Sequence, residues 1–487
     1  MSKSIAKNAF YKILLNLFNI VMPVIIATYT YGVIDQTLIG RYTTAYSIFN
    51  YFFIFAGFGI YNYAIREISK VRSDKKKMSQ LFTSFFVIGI ASNIGTLIIY
   101  VLFSFFAFKD TPAFVVHLIL ALNMISNIFY IEWANEALEN YGFITLKTIV
   151  VRLIYAVLLF LTVKSSDDFL MYVFLTTFST FLNNIISYFY IKKGVGFDFS
   201  NIKIKRHIKF LILVIIMSNG NVLYTQLDKA MLGLYVSEVS AAYYSVAHNV
   251  MTIINALVLS VVFVTIPRLA NIIASKDRTK YLELLNKITQ TLFAFLFPVA
   301  IGMFILAEEI FIIFGKGKYP GGGPVLEVFC VYMISLGFEA ILTNQVMYVN
   351  KKEKELVKMI FLAGIVNTIL NLVFLKMGIF NEVTAIITTT FSNYLLVFFE
   401  YIYVRKVLKL EFKMFTFKNL KYFLYALTFL PIGLIFKSTI SNMYLYIVAT
   451  VISCSFVYAF LLFITKDAIW AVAMDRVMPK VKSIIKK

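Results

Sequence analysis

The chain has 487 residues, 60% of them hydrophobic and only 15% charged, with a formal net charge of +21 and a mean hydropathy of +0.82. Such values exclude an ordinary soluble globular protein. A nucleic-acid binder is excluded as well, because the positive charge is spread over many short loops rather than gathered into one stripe.

Fourteen apolar runs follow one another, most of them near the roughly 20 residues that a helix needs to cross the hydrocarbon core. The first six are Ile13–Tyr31, Tyr42–Ile65, Leu81–Ala107, Ala113–Trp133, Phe143–Val163 and Phe169–Ile191. Six more are Phe210–Tyr235, Ala241–Pro267, Ile288–Ala307, Val325–Val349, Val357–Leu375 and Val383–Val404. The last two are Tyr422–Phe436 and Met443–Ile464, and the thirteenth, short and holding Pro431, is expected to extend past Lys421 and Lys437. Continuous runs of this length exclude an outer-membrane barrel, whose strands alternate polar and apolar residues. The first run follows Lys3, Lys7 and Lys12 and lacks a small-residue cleavage site, so it reads as a span rather than a signal peptide.

The basic residues alternate with the runs. If the N-terminus is cytoplasmic, 38 of the 46 lysines and arginines lie at or near cytoplasmic ends and seven at outer ends, with Lys229 inside a run. This is the positive-inside pattern, and an even number of spans places both termini in the cytoplasm. The connection after the second run reads REISKVRSDKKK, whereas outer connections read KDTP, SSDD and VSEV. The longest outer connection, 308–324, is too short for a soluble domain or for the sugar-handling loop of a membrane glycan polymerase or ligase.

An internal repeat accompanies the pattern. The second run closes in AIREISKVRSDKKK and the eighth in IPRLANIIASKDRTK, each with an arginine, a serine seven residues on, and a charged cluster. Both six-span groups start on the same side, so they read as parallel repeats related by an axis along the membrane normal. The expected fold class is all-α: a polytopic integral membrane protein of about fourteen transmembrane helices, two six-helix lobes in parallel repeat plus two C-terminal helices. The expected division is 1–200, 201–410, 411–466, and a cytoplasmic amphipathic basic tail over 467–487.

Charged groups inside spans are costly and mark sites. The seventh run holds Asn219, Asn221, Gln226, Asp228 and Lys229; the fifth holds Arg152; the tenth holds Glu339 with Asn344 and Gln345; the twelfth holds Glu400 near its inner end, where an interfacial position is expected. Two readings stay open for Asp228, Lys229 and Arg152. They line a water-filled cavity between the repeats, where a guanidinium fork suits phosphate, or Asp228 pairs with a base and locks packing. Asn123, Asn127, Asn183, Asn184, Asn367 and Asn371 are expected to hydrogen-bond between helices. His248 is open between a structural and a proton-relay role. Cys330 and Cys454 sit in apolar runs and suggest neither a disulfide nor a metal site. No HExxH, Walker loop or nucleophile elbow is present, so the chain reads as a transporter and not an enzyme.

Four stretches resemble the polysaccharide transporter family, the lipid-linked oligosaccharide flippases related to multidrug and toxin extruders. They are EWANEALENYGFIT (132–145), QLDKAMLGLYVSEVSAAYYSVAHNV (226–250), IPRLA (266–270) and NKKEKELVKMIFLAGIVNTILNLVFLKMGIF (350–380). Two departures stand out: Glu136-Ala137 where the family has Gln-Gly, and Thr384-Ala385 where it has Gly-Ala. The resemblance implies a two-lobed transporter that moves undecaprenyl-pyrophosphate-linked repeat units across the cell membrane by alternating access, through a cationic cavity. The candidate substrate-binding residues are Arg41, Arg66, Arg152, Asp228, Lys229 and Arg268. For Arg66 and Arg268 simple anchoring at the inner face is the competing reading, and Arg41 at an outer end could gate. The expected partners are a polyprenyl-diphosphate-linked glycan and membrane lipids, with a polysaccharide polymerase left open. No cofactor is expected, a coupling ion is open between H+ and Na+, and a monomer is expected. A cation-coupled drug extruder is the rival, and it would suit an acidic lumen.

Overall fold

Helices form wherever the sequence runs apolar. The computed structural model describes residues 5–202, 204–218, 220–275 and 277–471, and among these there is no strand. The helices are α1 (Ile5–Val33), α2 (Gln36–Gly57), α3 (Ile60–Val71), α4 (Lys75–Phe108), α5 (Ala113–Ile128), α6 (Glu132–Ala137), α7 (Tyr141–Thr162), α8 (Phe169–Lys192), α9 (Ile204–Ser218) and α10 (Gly220–Tyr235). They continue with α11 (Glu238–Ala274), α12 (Arg278–Ile305), α13 (Ala307–Phe314), α14 (Gly323–Ala340), a π-helical segment (Ile341–Tyr348), α15 (Glu353–Lys376), α16 (Glu382–Lys406), α17 (Phe417–Leu427), α18 (Phe429–Thr439) and α19 (Met443–Ile464).

Among the described residues, thirteen segments are long and apolar enough to cross a membrane. The expected seventh span is the fourteenth: it consists of α9 and α10, each shorter than a full crossing, and Asn219 between them lies outside the described residues. The protein is therefore an all-α, multi-pass membrane protein. The expected C-terminal amphipathic segment is described only as far as residue 471; its remainder, 472–487, lies outside the described residues.

Three further expected spans differ from the single helices read from the sequence. The second breaks between α2 and α3 at Phe58 and Gly59, which hold left-handed φ values of 46° and 65°. The fourth breaks between α5 and α6 at 129–131. The thirteenth runs from Phe417 to Thr439, past both lysines as expected, but divides at Thr428, with Pro431 in the first turn of α18, where no intrahelical N–H is required.

The chain folds as two compact units. Unit 1 comprises residues 1–245 with 314–318 and 371–382; unit 2 comprises 246–313, 319–370 and 383–487. In unit 1, α2 packs on α4, α5 and α10, α8 on α5 and α7, and α1 on α7. Helix α2 lies close to α10 and to the start of α11: a Cβ on Gly233 of α10 would meet Thr44, and one on Gly40 would meet the Glu238 backbone. An aromatic cluster of Tyr63, Phe82, Phe85 and Trp133 closes the end that carries the basic loops. Asp74 caps α4 there, and the Lys77 backbone N–H bonded to its carboxylate holds that group below its ordinary range. In unit 2, α12 packs on α14, α17 and α18. Its fully buried Phe293, Phe297 and Phe329 form the core, while Leu445, Val448, Ile452 and Phe456 of α19 are exposed. Apolar residues outside and hydrogen-bonded polar residues inside are what a lipid solvent selects.

Candidate functional site

The broken second and fourth spans of unit 1 open onto one cavity of about 490 Å³. Gly57, Gly59, Ile60 and Tyr61 contribute from the α2–α3 break, and Ile128, Tyr130 and Ile131 from the α5–α6 break. Irregular backbone at membrane depth is tolerated where it lines a cavity or is buried in protein. Such a volume falls within the roughly 300–1,000 Å³ of small-molecule sites.

The lining is polar without charge. Asn50, Asn62, Asn93, Asn127, Asn183 and Asn184 surround it with Thr180, Tyr61, Tyr130 and Trp133, and no Asp, Glu, Lys or Arg is among the lining residues. The asparagines are fixed to differing degrees. Asn127 donates to Asn93 Oδ1 at 3.0 Å, Asn184 to Ser126 Oγ at 3.0 Å, and Asn50 to the Tyr46 carbonyl at 2.8 Å. Among the described residues Asn183 has no side-chain hydrogen-bond partner, so its amide is free to meet a ligand. Tyr61 and Tyr130 stack at 6.1 Å, giving flat apolar faces beside the amides. Amides that donate and accept, next to aromatic faces, suit an uncharged polyhydroxylated group.

A buried ionic cluster holds up the wall. Lys147 Nζ lies 3.0 Å from Glu132 Oε2 and donates to Ser187 Oγ at 2.6 Å, and Ser187 donates to the same carboxylate oxygen at 2.6 Å. The Lys147 side chain is 2% exposed. The cluster joins α6, α7 and α8 immediately behind Ile131, Trp133 and Asn184, which line the cavity. Tyr61, from the wall itself, donates to Glu136 at 2.5 Å.

The residues singled out from the sequence are distributed as follows. Asp228 is fully buried and accepts from Tyr244 at 2.7 Å and from Asn371 at 2.6 Å. Lys229 is buried beside it in α10. Arg41 forms a two-point fork with Glu238, at 2.9 and 3.0 Å. Arg66 is exposed on α3 and pairs with Glu67, and Arg268 is exposed on α11. None of these lines the cavity of unit 1, so that cavity is not the cationic chamber expected from the sequence. The side chain of Asn221 lies outside the described residues. Glu400, expected at an interface, is instead fully buried and accepts from Thr343 at 2.6 Å. Interhelical bonding holds for Asn123 to Thr177 and for Asn367 to Thr389. His248 meets the Phe329 ring edge-on.

Arg152 lies in α7, which packs on α1. Thr145 donates to the Tyr11 carbonyl and Tyr29 to the Val163 carbonyl, both across a separation of 134 residues. Helices α1 and α7 therefore run parallel at constant register, which brings Asn19 level with Arg152. Among the described residues, Arg152 Nη1 and Asn19 Oδ1 are both buried without hydrogen-bond partners. A donor and an acceptor thus wait at one level of the α1–α7 seam.

The family model described as "Polysaccharide biosynthesis protein" matches residues 5–273. The chain belongs to the polysaccharide biosynthesis protein family. No curated protein matches the sequence. Among solved structures, the chain is similar to "Lipid II flippase MurJ, inward closed conformation", with TM-score 0.72 at 16% identity, over 95% of this chain and 100% of that one. It is also similar to a MATE protein in complex with MaL6, with TM-score 0.53 at 12% identity, over 81% of this chain and 94% of that one. At these identities the likeness is one of fold. For this family member, the matched region contains the whole lining of the cavity and the ionic cluster behind it.

Proposed function

We propose that the protein is a flippase that carries undecaprenyl-pyrophosphate-linked oligosaccharide repeat units from the cytoplasmic to the outer leaflet of the cell membrane by alternating access. The observation that carries the reading is the uncharged, asparagine-lined cavity between two broken helices of unit 1. A glycan cannot enter hydrocarbon without replacement partners for its hydroxyls, because each unmatched polar group costs several kcal/mol, about 2–7. Asparagine amides and tyrosine hydroxyls supply such partners. Family membership supports the same reading, as does the fold shared with a protein titled a lipid II flippase.

The division of labour follows from charge. The sugar headgroup takes the neutral cavity, and the diphosphate meets basic side chains. Arg66, Lys70 and Arg72 follow on from the cavity wall along α3 and its turn, and Arg66 is 62% exposed on its side chain. Arg152, with an unpartnered Nη1, is a second candidate. Arg41, Lys229 and Arg268 keep their places as candidates within two rocking lobes, 1–200 and 201–410. Both termini lie in the cytoplasm in this scheme, following the distribution of lysine and arginine.

Reconstitution tests it. In proteoliposomes loaded with a fluorescent polyprenyl-diphosphate oligosaccharide, the protein is expected to change the fraction of glycan open to an external glycosidase. Empty liposomes should show no change. Transport of a cationic drug without movement of the glycan would replace this reading with that of an extruder.

A further inference from the structure

The cavity of unit 1 lacks charge in its lining, and many of its donors are already committed. Asn50 and Asn93 donate to the Tyr46 and Gly89 carbonyls, each at 2.8 Å. Asn127 donates to Asn93 Oδ1 and Asn184 to Ser126 Oγ, each at 3.0 Å. Trp133 Nε1 donates to the Tyr130 carbonyl at 3.0 Å, and Tyr61 gives its one hydroxyl proton to Glu136. These bonds shift the balance of the wall from donors to acceptors. Sugar hydroxyls can donate to such a wall. A carboxylate, which only accepts, finds few partners on it.

A negative charge stands behind the same wall. The segment that follows the α5–α6 break carries Glu132, Glu136 and Glu139, and they differ in what meets them. Glu132 lies 3.0 Å from Lys147 Nζ, and Glu139 lies 2.6 Å from Arg72 Nη1. Among the described residues Glu136 forms no ion pair. It accepts from Tyr61 at 2.5 Å, the length of a bond from a hydroxyl to an ionised carboxylate. Tyr61 lines the cavity, and so does Trp133, one turn before Glu136 in α6. The uncompensated charge therefore lies one side chain away from the cavity. Phe53, Ile54, Phe85 and Phe86 add apolar surface to the lining, where water screens a charge weakly. Glu136 is also the position at which the sequence departs from the glutamine of the family pattern, so the charge is a feature of this chain.

We propose that Glu136 determines which glycans the cavity takes: uncharged sugars enter, and sugars that carry a carboxylate, the uronic acids, are rejected. The inference rests on the reading of this cavity as the glycan site and adds the class of glycan to it. A sugar carboxylate placed there loses its water, finds no lysine or arginine in the lining, and faces a like charge across Tyr61. A hydroxymethyl group in the same place meets neither penalty and can donate to the wall.

The test compares two ligands that differ by one charge: a polyprenyl-diphosphate trisaccharide ending in a hexuronic acid, and the methyl ester of that acid. The chain has two tryptophans, Trp133 and Trp470, so full-length Trp470→Phe protein in detergent reports binding through the emission of Trp133 alone. The ester is expected to bind about tenfold or more tightly than the acid. Glu136→Gln, which keeps an acceptor for Tyr61, should narrow the gap to about threefold or less by tightening the acid. Tyr61→Phe removes the hydrogen bond and keeps the charge, so the gap should persist; its disappearance there would assign the discrimination to the bond and overturn the role of the charge. Should Glu136→Gln fail to fold, Tyr61→Phe and the comparison of acid with ester in the Trp470→Phe protein still decide. Equal binding of acid and ester, a gap unchanged in Glu136→Gln, or no binding of either ligand would each overturn the inference. Transport of the same pair in proteoliposomes separates it from the reading it rests on. Discrimination in binding with no movement of either ligand would sink the flippase and leave the selectivity standing, whereas equal movement of both would keep the flippase and sink the selectivity.

Discussion

Unit 1 and unit 2 treat polar groups within the membrane in opposite ways. In unit 1 neutral amides surround a volume, and the helices that bound it are broken to make room. In unit 2 the acidic side chains of Glu339 and Glu400 are buried along a seam closed by the Asn393–Ser335 and Thr343–Glu400 hydrogen bonds. The first arrangement leaves a volume that can admit an uncharged group; the second keeps its polar groups buried between packed helices. The contrast teaches that the total count of polar residues in a span says little about its role. What separates the two is whether the polar atoms already satisfy each other, and whether space lies between them.

The sharpest way to break the contrast is to remove what supports the cavity. Lys147→Met leaves the Glu132 carboxylate buried and unpaired, and is expected to cost about 3–5 kcal/mol. Thermal unfolding in detergent reads this, and adding Glu132→Gln should restore most of the loss. An unchanged melting temperature in the single variant would remove the cluster as the support of the wall. Filling the cavity comes next. Asn183→Trp places a large ring in the 490 Å³ space, where glycan export in cells should fall to background while the amount of protein in the membrane holds. Asn183→Ala should lower export only a few-fold.

Asp228→Asn has a smaller effect on the fold. It trades a charged acceptor of two hydrogen bonds for a neutral one, at about 1–3 kcal/mol. Export should be impaired more than membrane content; loss of the protein from the membrane would instead assign Asp228 to packing. Arg152→Gln should abolish glycan export and leave protein level intact, because its unpartnered Nη1 shows that it is not needed to complete a packed network. Unchanged export would take Arg152 off the substrate path. Arg66→Gln, at an exposed position, should shift stability by no more than about 0.5 kcal/mol. An effect of Arg66→Gln on export alone would mark a contact with the diphosphate.

Much of this fold was legible in the sequence. Fourteen apolar runs and their alternating charge give the membrane class and the number of crossings, because hydrocarbon thickness sets span length directly. The break at Phe58-Gly59 carried a visible signal, since two glycines flank a phenylalanine in a span. The break at 129–131 had none: Phe129, Tyr130 and Ile131 are good membrane residues, and the turn is set by tertiary packing. The Lys147–Glu132 pair was missed because each residue lies at the end of a run, where a charge looks like an anchor. Only the fold joins residues separated by 15 positions through Ser187. Glu400 was misplaced for the same reason, since a position near a span end does not tell whether its side chain faces water or a neighbouring helix. Asn127, Asn183 and Asn184 announced themselves in the sequence and Asn50, Asn62 and Asn93 did not, and their convergence depends on five different helices meeting.

One measurement addresses the central claim directly, and the chain is well suited to it because Cys330 and Cys454 are both buried. Asn183→Cys puts a thiol in the cavity wall, and its labelling rate by a small water-soluble maleimide is followed in proteoliposomes with and without a polyprenyl-diphosphate oligosaccharide. The account predicts labelling that the lipid-linked glycan slows and that the polyprenyl diphosphate without sugar does not. A thiol that never reacts, or that reacts equally fast with the glycan present, contradicts it.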